Sequence, residues 1–182
     1  MVYLIVRTIS KRTTNMIAIK INNKKEFMAL LLTSELFDSF DLEEAVIESF
    51  NTFHIDGHLN KDFYKQDPDY SEDSYKGTFS TWGSIRPICF DLIKGKRTPL
   101  GFKFIFHASS EVKEKVSSLA DTSISPDMVT LGINIRFLNG EIQVTTGTTF
   151  SSFILDKSIE KAWDSYLPSF LESHGIKTED YA

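Results

Sequence analysis

Two sets of residues in this chain have the types and spacing for chemistry. The first is His54, Asp56 and His58, at intervals of two. On a strand, alternate residues share a face. Two imidazoles and a carboxylate would then stand together, a donor set suited to Fe(II), Mn or Zn and so to a metal-dependent enzyme. The same pattern also describes the solvated face of a half-buried strand. Gly57, moreover, invites a bulge that would turn His58 off that face. The second set is cationic. Between Trp82 and Phe106 stand Arg86, Lys94, Lys96, Arg97 and Lys103 against a single acid, Asp91. Such an island can hold an anion, an acidic protein or a nucleic acid. It can also close a helix, since cations beyond a C-terminus complement its negative end by roughly 0.3–1 kcal/mol each. Lys94, Lys96 and Arg97 together exceed what capping needs.

Other patterns fail on inspection. Asp67, Asp69, Ser71, Glu72 and Asp73 are acidic enough for a calcium loop, but the sixth and twelfth positions hold Glu72 and Thr78 instead of glycine and glutamate. Gly95-Lys96-Arg97-Thr98 imitates the tail of a phosphate-binding loop. It would follow a helix, however, whereas such loops precede one and offer its amides to the phosphate. There is no G-x-S-x-G elbow, and Cys89 falls on an apolar helical stripe with no base beside it. No catalytic residue and no cofactor is expected.

These residues need elements to position them. Residues 16–21 read as a strand, and Asn22-Asn23 as the cap of a helix reaching about Phe37 with Phe27, Leu30 and Leu31 inward. From Ala45 to Leu59 the period is two, with Ala45, Ile47, Phe53, Ile55 and Leu59 on one face and a bend at Ser49 to Asn51. Residues 61–78 are polar and acid-rich, a long loop. Ile85, Ile88, Cys89, Leu92 and Ile93 recur at helical spacing after a cap at Ser84, and Gly95 is placed to end that helix. Gly101 to His107 is a buried strand, and Ser109-Ser110 opens a helix with Val112, Val116 and Leu119 inward. Asn139-Gly140 between alternating runs is a hairpin turn, since both positions favour positive φ, and it sets Phe137 opposite Ile142 and Ile135 opposite Val144. A last helix carries Trp163, Leu167 and Leu171.

The fold class is therefore α+β, an antiparallel-rich sheet with four or more helices. The element order repeats across residues 16–95 and 100–175, as it would in a duplicated fold such as a sliding-clamp subunit; that analogy concerns fold alone. Residues 1–15 read as an extension, 16–176 as one domain and 177–182 as a tail. The first fifteen residues place their apolar patch before their basic residues, the reverse of a secretory signal.

Composition sets outer limits. A net charge of −5 argues against indiscriminate nucleic-acid binding and leaves any such affinity to the cationic island. With 41% apolar residues and 15 phenylalanines, a thick core is available without disulfides, and a lone cysteine suits a reducing cytosol. The expected protein is a cytoplasmic binding module, with a metal-dependent enzyme or a subunit of a homo-oligomer as alternatives.

Several runs carry a resemblance. They are Phe53-His54-Ile55-Asp56-Gly57-His58-Leu59-Asn60, Arg86-Pro87-Ile88-Cys89-Phe90, Leu92 to Pro99, Thr145-Thr146-Gly147-Thr148 and Asp156-Lys157-Ser158. Through these the chain resembles an uncharacterised family of small proteins of clostridial Firmicutes, a domain of unknown function, over about residues 16–176. The resemblance implies a free-standing bacterial cytosolic protein. It supplies no catalytic residues.

Overall fold

Alternating large apolar residues build the sheet, and their regularity explains its flat division into two unlike faces. The computed structural model describes residues 16–71 and 77–181; the N-terminal extension, residues 72–76 of the acidic loop and Ala182 lie outside the described residues. Eight strands form one antiparallel sheet: β1 (Ala18–Ile21), β2 (Asp41–Glu48), β3 (Thr52–Asp56), β4 (Ser80–Thr81), β5 (Gly101–His107), β6 (Val129–Leu138), β7 (Glu141–Phe150) and β8 (Thr178–Asp180). Their order across the sheet is β3-β2-β5-β6-β7-β1-β8, with β4 paired to the start of β2. Five helices accompany them among the described residues: α1 (Lys24–Thr33), α2 (Lys61–Tyr64), α3 (Trp82–Ile93), α4 (Ser110–Ala120) and α5 (Ser158–Ser173). The sheet is open, and the architecture is α+β.

One face is the core. Leu42, Ala45 and Ile47 of β2, Phe102, Phe104 and Phe106 of β5, Leu131, Ile133 and Ile135 of β6, and Ile142 and Val144 of β7 are all buried. Phe27 of α1, Trp82 of α3 and Trp163 of α5 are fully enclosed against it. Trp82 packs 5.2 and 5.0 Å from the rings of Phe104 and Phe106, and its indole N–H donates to the Leu31 carbonyl at 2.8 Å, locking α3 onto α1. The indole N–H of Trp163 reaches the Gly132 carbonyl of β6 in the same manner. The opposite face carries Glu44, Val46, Lys103, Ile105, Asn134, Arg136 and Gln143, all half-buried or exposed.

The β6–β7 hairpin forms in the expected register, Phe137 with Ile142 and Ile135 with Val144. Asn139 and Gly140 both have positive φ, 52° and 78°, as a two-residue turn of this hand demands. Ser109 caps α4 by accepting from the Val112 N–H.

Four expectations need correction. Helix α1 stops at Thr33, where the Ser34 hydroxyl takes the Leu30 carbonyl, so Phe37 belongs to a turn that drops it into the core. Helix α3 begins at Trp82, two residues before Ser84, whose hydroxyl instead donates back to the Thr81 carbonyl. Ile88 and Leu119 are exposed although both continue apolar stripes, because among the described residues no element covers that side of either helix. The tail contains a strand: β8 pairs with β1 at the sheet edge. The repeated element order, meanwhile, is not a repeated strand order. Strand β5 lies beside its own hairpin β6–β7, whereas β1 lies across the sheet from β2–β3.

Asn23 joins distant parts of the chain. Its side-chain N–H donates to the Gly175 carbonyl and its side-chain oxygen accepts from the Lys177 N–H, while the Asn22 N–H reaches the Lys177 carbonyl. The residue at the start of α1 is thereby stitched to the exit of α5 and makes no capping bond of its own.

Candidate functional site

Helix α1 has two useful sides. Phe27 and Leu31 face the core, while Lys24, Lys25, Met28, Ala29 and Leu32 form the wall of a groove of about 670 Å³. The facing wall is the end of α3, Phe90 and Ile93, continued by the connection Lys94 to Pro99. The floor is the top of the sheet's core face: Phe102, Phe137 and Ile142, one from each of β5, β6 and β7. The connection is pushed outward by local chemistry. The Lys94 N–H makes the last helical bond to the Phe90 carbonyl, Gly95 takes φ +141°, Pro99 bars further helix, and the Leu100 N–H returns to the sheet at Glu48. Among the described residues no backbone carbonyl accepts from the N–H groups of Gly95, Lys96, Arg97 or Thr98.

The charges around this groove are of one sign. Lys24, Lys25, Lys94, Lys96 and Arg97 line it, and among the described residues no aspartate or glutamate does. Lys94 is paired with Asp91 at 2.7 Å and lies 5.7 Å from the Phe90 ring centre. Lys24 donates to the Gly140 carbonyl at the β6–β7 turn, and Glu141 beside that turn is already engaged by Lys20. Lys25, Lys96 and Arg97 have no ion pair among the described residues. A half-apolar trough with unopposed cations on its rim can hold an anion that also carries apolar surface.

The five-residue island read from the sequence is thus divided by the fold. Arg86 is not part of the groove. Its Nε and Nη2 donate to the two oxygens of Asp38 at 2.7 and 2.8 Å, and Nη1 reaches the Leu32 carbonyl at 3.4 Å. This half-buried fork fastens α3 to the turn after α1. Lys103 points the other way, onto the opposite sheet face, and pairs with Glu44. Lys94, Lys96 and Arg97 stay together, and α1 adds Lys24 and Lys25, which sequence reasoning missed. The signal was present: a Lys-Lys-x-x-Met-Ala-x-x-Leu stripe lies on α1 opposite Phe27 and Leu31.

His54 and Asp56 do share the outer face of edge strand β3, opposite Val46 and Glu44. The bulge falls on the other strand, at Glu43 of β2, where the register shifts between Leu42 and Glu44. Gly57 fits against it, its N–H on the Glu43 carbonyl; a Cβ there would lie 1.7 Å from the Leu42 carbonyl oxygen. His58 then folds back on its neighbour. Its backbone N–H, and next its ring, hydrogen-bond the Asp56 carboxylate and hold that carboxyl below the ordinary range. The imidazole lies 4.5 Å from the Phe79 ring. Among the described residues no group of three or more His, Cys, Asp or Glu side chains is placed to hold a metal ion.

His107, from β5, bonds Glu43 at 2.6 Å and meets Phe79 edge-on. Cys89 is fully buried under α3, and burial pushes its thiol up to about 12, which leaves it inert as a nucleophile.

Fold and groove define a class: an open-sheet α+β protein with a cation-rimmed apolar groove between two helices. The chain belongs to a family of unknown function (DUF5721), whose pattern matches residues 30–179. No curated protein and no solved structure matches the chain. Among the described residues no helix is long and apolar enough to cross a membrane.

Proposed function

We propose that this protein is a binding module whose working surface is the groove between α1 and the end of α3, and that it takes an acidic segment of a partner protein. The observation that carries this reading is the lining among the described residues: five cations, no carboxylate, and apolar surface on Met28, Phe90, Ile93 and Phe137. A nucleic-acid duplex would use the cations but would leave the apolar lining unfilled, since its outer surface is phosphate and sugar. An acidic polypeptide can meet both rim and floor. Charge gives such a contact its rate and salt dependence, and covering the half-buried Met28, Phe90, Ile93 and Phe137 gives it affinity. A cytosolic setting agrees with the inert, buried Cys89.

The test is fluorescence anisotropy with a labelled peptide rich in glutamate and leucine, at low and high salt, beside a single-stranded RNA of equal length. The expected result is peptide binding that weakens with salt and is lost when Lys24, Lys25, Lys96 and Arg97 are replaced together by glutamine, with the melting temperature preserved. Tighter binding of RNA than peptide, or peptide binding indifferent to the four substitutions, overturns the reading.

A further inference from the structure

Resting on that reading, we infer that the segment seated in the groove is an amphipathic helix with acidic residues on both flanks of its apolar stripe. Three features of the groove point there. Its cations stand on both walls, Lys24 and Lys25 on α1 and Lys96 and Arg97 on the connection after α3. The complement is a ligand that is apolar along its middle and anionic on both sides. Second, the groove offers no strand to extend. Its floor strands are paired on both sides, β5 between β2 and β6, β6 between β5 and β7, and β7 between β6 and β1. An extended peptide gains affinity by adding main-chain bonds to a free sheet edge, and here it would find none on the floor.

Third, the α1 wall is itself a helix, whose backbone groups are largely used within it. Along that wall a bound segment finds no main-chain partner, and a helix meets the need by satisfying its own N–H and C=O groups. The amides of Gly95 to Thr98, which have no backbone acceptor among the described residues, add donors for carboxylates on one flank only. The helix lays its i, i+3, i+4 and i+7 side chains along the floor, and its flanking carboxylates meet the two walls in turn.

Two synthetic peptides of identical glutamate, leucine and alanine content test this. One places leucine at i, i+3, i+4 and i+7 with glutamate on both flanks, and the other scrambles the order. Anisotropy and far-UV circular dichroism are measured with the full chain and with the Lys24→Gln/Lys25→Gln and Lys96→Gln/Arg97→Gln variants. The expected result is that the patterned peptide binds at least tenfold more tightly, becomes helical on binding, and is weakened by each variant separately. Equal binding of the scrambled peptide, binding without gain of helix, or dependence on one wall alone overturns the helical inference while leaving the acidic-segment reading standing. Salt-insensitive binding, or none by either peptide, overturns both.

Discussion

Arg86 lies within α3 and Arg97 just past its end, and the fold treats them in opposite ways. Arg86, inside α3, meets a carboxylate of matching shape in Asp38 and a backbone carbonyl in Leu32. Arg97, just past the helix end, lines the groove beside apolar residues and other cations and makes no ion pair among the described residues. Both count equally in formal charge. What separates them is whether the chain itself supplies the counter-charge, and only a cation without one is left for another molecule. The same division sets Lys103, paired with Glu44 on the open sheet face, against Lys96.

The contrast can be broken by substitution. Arg86→Gln should lower stability by about 2 kcal/mol, because a forked charged contact is lost and Asp38 is left half-buried without it. For a chain of this size that is a fall in Tm of about 4–8 °C, read by calorimetry, with peptide affinity unchanged. Replacing Lys96 and Arg97 by glutamine should do the reverse. Peptide affinity falls about tenfold, or about 1.4 kcal/mol, while stability moves by less than about 0.5 kcal/mol, as for ordinary surface changes. Lys103→Gln should shift neither binding nor stability by more than about 0.5 kcal/mol, the usual worth of an exposed pair. Loss of affinity in this last variant would mean that the partner also covers the open face.

A third kind of charge sharpens the contrast further. Asp164 of α5 accepts from the Thr146 hydroxyl and makes no ion pair among the described residues. Burial raises its pKa, with the Thr146 hydroxyl acting in the opposite direction. A carboxyl with a raised folded pKa holds its proton longer in the native state, so stability declines as pH rises from the ordinary carboxylate range to that raised value, and is level above it. Asp164→Asn should reduce the slope of this segment of a stability–pH curve, leaving the part due to Asp41, which burial raises in the same sense.

Local rules were enough for some of this architecture. The β6–β7 hairpin was legible because Asn139-Gly140 and the alternation of Ile135, Phe137, Ile142 and Val144 state one register twice over. Strand β5 was legible from its phenylalanines alone. The start of α3 was not, since Trp82 is chosen by a hydrogen bond to Leu31, 51 positions earlier. Arg86 looked available for the same reason: its partner stands 48 positions upstream, where no window of sequence joins them. Two of the groove's five cations, Lys24 and Lys25, were missed because α1 and α3 meet only in the folded chain. Strand β8, three residues reading Thr-Glu-Asp, has no apolar pattern and exists because β1 presents a free edge.

The bonds made by Asn23 have a consequence at a distance. They tie the first residue before α1, one wall of the groove, to Gly175 and Lys177 near the opposite terminus. The spacing between the walls is therefore guyed from outside, like a tent pole held by a rope pegged well away from the door. Removing residues 175–182 would take away both pegs, without touching a single atom that lines the groove.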